Sequence, residues 1–475
     1  MNRREFIRAT GCATVASAFG IGFAGQSDAY DLAIIGGRVM DPDTNTDAKL
    51  NIAIKNGRIV KRTTAKLNAK QTLRADGCVV CPGFIDIIAH GMDIENNRYQ
   101  AMDGVTTVLD MESGSAEIDK WYAERKGKML LNYGASSGHS AARGLIFPDE
   151  KQFENSAATE AQINEMARTV ETNLKKGALG VGMGIEYYPG ASHWEIYQMF
   201  RVAARYNAPV HVHVRYGTVL EPGSALEGIQ EVIACAAATG APLHIVHVPS
   251  MGLSNTPQLL KVIGEAQRNG MDITADAYPY TAFGTGIGSA VFADGWQQRF
   301  AMDYGDLQWA ETGERLTRET FEKYREKGGM VIAHAIPESA VRAAIGSPNL
   351  MVGSDGGLRN GVGHPRSAGT FARVMGKYVR EERLLSLMQA IKKVTLMPAN
   401  RLSRHCAPMR RKGRLAIGCD ADVTVFDPQT IRDNATYDKP AQYSSGVRHL
   451  VVGGSVVVRD GVLKDDLMPG RAVRV

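Results

Sequence analysis

Between residues 82 and 404 short apolar runs recur, separated by stretches of helical length. They lie at residues 104–109, 177–181, 209–214, 243–248, 272–278, 330–334 and 350–353, and an earlier run, residues 79–90, opens the series. Apolar runs of this length bounded by turn residues form buried strands. Strands that alternate with helices build a parallel sheet, and eight of them predict an α/β fold, a (β/α)8 TIM-like barrel. That expectation also fixes where chemistry can sit, because reactive residues of such a barrel gather at the C-terminal strand ends.

The flanks have another texture. Residues 30–79 read as short strands with hairpin turns at Gly36-Gly37 and Asn56-Gly57. Strands recur at residues 421–426, 448–452 and 455–459, with Gly453-Gly454 as a turn. Two β-rich ends around an α/β middle predict one small β-sandwich built from both. The expected division is an export signal over 1–29, the first part of the sandwich over 30–80, the barrel over 81–405 and the rest of the sandwich over 406–475. In the leader, Arg3 and Arg4 precede Glu5, Phe6 and Ile7, and a small-residue apolar stretch follows over 11–24. This pattern is that of a twin-arginine signal, with small-x-small cleavage sites at 22–24 and 27–29, and it predicts a periplasmic or secreted protein.

Composition narrows the partners. The apolar share is 44%, enough for a large core, and the net charge of +5 comes from acidic and basic residues mixed along the chain. That mixture argues against nucleic acid and membrane surfaces as partners. No stretch after residue 30 is apolar over the length a bilayer needs. Of six cysteines, Cys78 and Cys81 form a C-x-x-C. No second pair follows at zinc-finger spacing, so both are expected to be small residues entering a strand.

Four strand ends carry candidate chemistry. In Pro209-Val-His-Val-His, His211 and His213 share one strand face by period-two alternation, and His213 is nearer the mouth. In Leu243-His-Ile-Val-His, His247 is nearer the mouth, and His244 is expected to face the helical layer. The run 104–109 leads into Glu112. Two imidazoles and a carboxylate at successive strand ends form a plausible zinc site. Asp355, at the exit of the last strand, can take a proton from an attacking water and pass it to a leaving amine.

These residues sit inside longer matches. Pro82-Gly-Phe-Ile-Asp86 followed by His90 resembles the first barrel strand of the amidohydrolase superfamily, where His-x-His is the rule; here the first histidine is replaced by Ile88. Gly177–Gly190 (GALGVGMGIEYYPG), Ala275–Ala282 (ADAYPYTA), Gly353-Ser-Asp-Gly356, His364–Arg373 (HPRSAGTFAR), Thr395–Ala399 (TLMPA) and Gly418–Pro428 (GCDADVTVFDP) extend the likeness. Together they resemble the N-acyl-D-amino-acid deacylase (D-aminoacylase) family, over nearly everything after the leader. The resemblance implies a tightly held Zn2+ on Glu112, His213 and His247, with His90 left on a second metal position that Ile88 makes weak or empty. It implies Asp355 as general base and acid and Arg366 as the grip on a substrate α-carboxylate. It further implies Tyr280 and Tyr187, with Tyr278, as pocket walls, and His139, in Asn132–Arg143, as an aid in polarising the amide carbonyl. Pro249 stands where relatives often have lysine, so that contact is absent.

The expected activity is metal-dependent hydrolysis of the N-acyl amide of a D-amino acid or a related small carboxylate-bearing amide. Two other readings stay open at this point: a cyclic amide or dipeptide hydrolase on the same scaffold, and a non-catalytic binding protein with a degenerate second metal site. The export reading carries its own test. Replacing Arg3 and Arg4 together by lysine should hold the protein in the cytoplasm, as cell fractionation would show; periplasmic delivery at the unaltered level would refute a twin-arginine route.

Overall fold

The computed structural model describes residues 29–464 and 466–475, so the expected signal lies outside the described residues except for Ala29. Eight parallel strands form the central sheet: β1 (Phe84–Asp86), β2 (Val105–Ser115), β3 (Asn132–Gly138), β4 (Val181–Gly184), β5 (Val210–His213), β6 (Leu243–Ile245), β7 (Ile273–Ala277) and β8 (Leu350–Val352). They pair in chain order from β1 to β8. The ring closes just beyond the strands, where Ala89 bridges Gly356 in parallel and the Asp355 N–H donates to the Ile88 carbonyl at 2.8 Å.

The crossovers are amphipathic helices with local stop and start signals. The helix Glu160–Lys175 begins in a reciprocal capping box between Thr159 and Gln162 and buries Ile163, Met166, Val170 and Leu174. That spacing is the apolar stripe of a 3.6-residue period. The helix Ala225–Thr239 starts on a Ser224–Glu227 capping box and stops at Gly240, whose φ of 75° suits glycine.

One of the expected barrel strands is replaced by another segment. Residues 330–334 do not enter the barrel: Met330–Ala333 is the middle of a three-stranded antiparallel sheet, between Phe283–Gly286 and Leu307–Trp309. This sheet is inserted between β7 and β8. The eighth barrel strand is instead β3, with the sequence Asn-Tyr-Gly-Ala-Ser-Ser-Gly. It lacks the β-branched residues that mark strands, yet it is buried throughout. Small residues are required there: a Cβ on Gly134 would come within 2.5 Å of Leu179 Cδ1 and 2.7 Å of the Val473 carbonyl.

The chain ends meet as expected. Val79–Pro82 lies between Arg38–Asp41 and Val423–Phe426, in a seven-stranded sheet that also holds Val447–Val452 and Ser455–Arg459. A four-stranded sheet containing Tyr30–Ile35 packs against it over Leu32, Ile34, Ile52, Ile54, Val80, Val423 and Val425.

A buried ion pair ties this unit to the barrel. Lys412 Nζ lies 2.6 Å from Asp422 Oδ2 and 3.2 Å from Asp420. Asp422 Oδ1 accepts the Asn132 side-chain N–H from the start of β3 and the Gly453 N–H. Breaking a buried pair costs more than the pair contributes, because a charge is left without its partner. Asp422→Ala should therefore lower the unfolding free energy by about 3–5 kcal/mol, read from urea unfolding. The double replacement Lys412→Met with Asp422→Leu should lie nearer the parent. A loss under about 1 kcal/mol for Asp422→Ala, within the range of an exposed pair, would refute this role.

Candidate metal centre

Glu112 is the next-to-next-to-next-to-last residue of β2, where the strand climbs past the barrel rim, and it is buried. His213 ends β5. His247 follows β6 in a left-handed conformation, φ 30°. That kink is held by Asp276 on β7, whose Oδ1 accepts the His247 N–H at 2.7 Å. The kink also ends the strand alternation, so His244 does not face the helical layer as expected. It pairs in register with His211, and their rings lie 4.7 Å apart, tilted by 37°, on the face that carries His213. There His244 Nε2 lies 2.7 Å from Asp276 Oδ2.

Glu112, His213 and His247 converge, with one ligand atom from each within 4.8 Å of the others. His213 Nδ1 lies 3.1 Å from Glu112 Oε1, and His247 Nε2 lies 3.4 Å from Glu112 Oε2. On His247 the other ring nitrogen is accounted for. Ser250 Oγ donates to the His247 carbonyl at 2.8 Å and lies 2.7 Å from Nδ1. With its proton so used, the hydroxyl oxygen accepts Nδ1–H, which leaves the Nε2 lone pair toward Glu112. Glu112 Oε2 is buried and takes part in no hydrogen bond. An orphaned carboxylate oxygen between imidazole nitrogens fits a cation, and a donor set of two nitrogens and one oxygen with an open position fits Zn2+.

His90 extends from the β1 exit, with Nε2 2.9 Å from Asp355 Oδ1 and 3.6 Å from Glu112 Oε2. His90, Glu112 and Asp355 form a second convergent group that shares Glu112 with the first. Ile88, fully buried, packs in an apolar layer with Ile85, Leu109 and Met351 and offers no donor.

Asp355 stands in a left-handed turn, φ 52°. Burial pushes its carboxyl up, but the Arg366 guanidinium, His247 and His90 outweigh this and hold it below the usual carboxylate range. Deeper in the barrel burial prevails over the groups that oppose it, and Asp86 and Asp276 are pushed up to about 7. Arg366 Nη1 is 2.8 Å from Asp355 Oδ2, and its guanidinium lies over the Tyr278 ring at 4.7 Å. The backbone of Arg366 is set by His364, whose Nε2–H donates to the Ala282 carbonyl and whose Nδ1 accepts the Arg366 N–H at 3.1 Å. Arg366 Nε is buried without a hydrogen bond.

A cavity of about 290 Å³ opens over this group, lined by His90, Glu112, Tyr187, Asp355, His364 and Arg366 among others. A narrower one beside it shares Tyr187 and Asp355 and adds Glu186, Tyr278, Met251, Phe283 and Phe300. Two residues expected here are elsewhere. Tyr280 is buried under Arg373, 4.8 Å from its ring, with its hydroxyl toward the Pro365 carbonyl, and lines neither cavity. In a continued strand the two tyrosines, two residues apart, would share a face; β7 ends at Ala277, and in the irregular Tyr278-Pro279-Tyr280 segment beyond it Tyr278 alone faces the site. His139 is fully buried, with Nε2 3.0 Å from Glu195 and Nδ1 3.2 Å from the Tyr188 hydroxyl, and it too lines neither cavity. It heads the helix after β3 and serves a buried ion cluster in which Arg143 also grips both Glu195 oxygens at 2.9 Å. Sequence reasoning passed over Glu186 and Ser250 at the centre. Glu186 carried a legible signal, a carboxylate next to Tyr187 at a strand exit.

Comparison with known proteins agrees with this geometry. The amidohydrolase family matches residues 124–458. The chain is 28% identical to the N-acyl-D-glutamate deacylase of Alcaligenes xylosoxydans xylosoxydans, an alignment that spans 94% of this chain and 97% of the relative. It is also 28% identical to that organism's D-aminoacylase, over 91% and 96%. Among solved structures, the N-acyl-D-glutamate deacylase of Bordetella bronchiseptica, complexed with zinc and a phosphonate mimic of the tetrahedral intermediate, superposes with a TM-score of 0.82 at 27% identity, covering 94% of this chain and all of that one. With most of its length matched and a convergent Glu-His-His group at its strand ends, the chain belongs to the amidohydrolase family.

Proposed function

We propose that this protein is a zinc-dependent hydrolase of the N-acyl amide bond of a D-amino acid, exported to the periplasm or beyond. The observation that carries the substrate class is Arg366: a buried guanidinium that lines a cavity beside the Glu-His-His group. A planar fork of this kind suits a carboxylate held bidentately. The D configuration and the N-acyl group rest on the relatives, which act on N-acyl-D-amino acids by name.

Zinc on Glu112, His213 and His247 supplies Lewis acidity toward water and a carbonyl oxygen. The rest falls to the chain. Arg366 holds the α-carboxylate and so fixes the amide over the group, converting a bimolecular encounter into an oriented one. Asp355, kept ionised by its cationic neighbours, takes a proton from the attacking water and returns it to the leaving nitrogen. Its contact with Arg366 also places the grip and the base side by side, so the scissile bond must lie close to the carboxylate. Tyr187, whose hydroxyl accepts from Thr285 at 3.3 Å, walls the cavity.

Two expectations follow. Asp355→Asn should cut kcat by about 10²–10⁴-fold while zinc stays bound, whereas Arg366→Met should chiefly raise KM, and far less for a substrate whose carboxylate is an amide. Equal penalties on acid and amide would remove the reason for choosing an amino-acid amide. Because Ile88 donates nothing, elemental analysis of the purified protein should find close to one tightly held zinc per chain; two tight ions would contradict the reading of the second group as weak.

A further inference from the structure

We propose that Glu186 is a positioning residue for the metal centre: its carboxylate holds the proton of His213 on Nε2 and so presents Nδ1 as the ligating nitrogen. The proposal rests on the reading of Glu112, His213 and His247 as zinc ligands. Glu186 stands in one 3-10 turn, Ile185–Tyr187, directly after β4. Its Oε2 lies 2.8 Å from His213 Nε2, and its Oε1 accepts the Gly217 N–H at 2.9 Å. The carboxylate is thus held at both oxygens, and its side chain is only 12% exposed.

A neutral imidazole carries a single N–H, and the partner of one nitrogen decides which nitrogen is left to bind metal. With Glu186 accepting from Nε2, the Nδ1 lone pair of His213 points to where Glu112 Oε1 stands, 3.1 Å away. His213 therefore mirrors His247: one ring uses Glu186 to expose Nδ1, the other uses Ser250 to expose Nε2. The turn that carries Glu186 is itself braced. The Gly184 N–H donates to the Tyr188 hydroxyl at 2.9 Å, and Tyr188 abuts buried His139. On the far side, Gly217 leaves no room for adjustment, since a Cβ there would come 2.8 Å from Glu186 Oε1 and 3.1 Å from Oε2.

The test measures zinc dissociation constants by chelator competition for the parent, Glu186→Ala, Glu186→Gln and Gly217→Ala, together with the melting temperature of each zinc-free protein. Losing such an outer partner typically weakens metal binding about 10–100-fold, and that loss is expected for Glu186→Ala. Glu186→Gln, which keeps an oxygen able to accept Nε2–H, should lose less. Gly217→Ala, which keeps the carboxylate but displaces it, should also weaken zinc, while the zinc-free melting temperatures stay near the parent's. Parent-like zinc affinity in Glu186→Ala, or an equal loss in Glu186→Gln, overturns the proposal. So does a fall in the zinc-free melting temperature as large as that of the zinc-loaded protein, which marks a structural role only. If Glu186→Ala does not fold, Gly217→Ala decides, and unchanged affinity there overturns the proposal. A parent protein that binds no zinc would instead sink the metal assignment beneath it, and the two failures are told apart by that first measurement.

Discussion

A carboxylate buried among imidazoles governs this structure. Glu112 has one oxygen 3.1 Å from His213 and the other without a hydrogen bond, 3.4 Å from His247 and 3.6 Å from His90. Burying a carboxylate so is costly unless positive charge balances it. Protons on the histidines or a bound cation can supply that charge, and both demands place the strand ends of β2, β5 and β6 within a few ångströms of one another. The barrel is what brings strands so distant in sequence to that distance.

The support beneath the group follows the same logic. Asp276 holds the His247 backbone with one oxygen and meets His244 with the other. Asp86 does the matching task for β8, accepting the Ser354 N–H at 2.9 Å and its hydroxyl as well. Each acid is spent on a backbone N–H at a rim turn. These bonds fix His247 itself in one case and, through Ser354, Asp355 in the other, both in left-handed conformations that ordinary residues avoid without such help.

The cluster of His139, Arg143 and Glu195 shows how a familiar segment acquires another task. Its charges are fully enclosed, and through Tyr188 they set the turn after β4. Any influence of His139 on the chemistry passes through the position of that turn, because its ring meets neither cavity.

Sequence alone determined the barrel, the joining of both ends in one β unit, and Glu112, His213, His247 and Asp355 as strand-end residues. Apolar runs, turn residues and strand periodicity are local signals, and each of these features is written within a few neighbouring residues. Tertiary structure decided what depends on distant partners. β3 is a strand only because a crowded barrel wall accepts its small residues, and Met330–Ala333 left the barrel because Phe283–Gly286 and Leu307–Trp309 pair with it. His211 and His244 share the inward face with His247 because the backbone at His247 departs from strand geometry as its N–H donates to Asp276 on the neighbouring strand, and Tyr278 faces the site while Tyr280 does not because the chain leaves the strand after Ala277. The neighbours that give Glu186 and Ser250 their meaning differ in the same way. Ser250 lies three residues from His247, whereas Glu186 meets His213 across 27 positions of sequence, a proximity that the pairing of β4 with β5 creates.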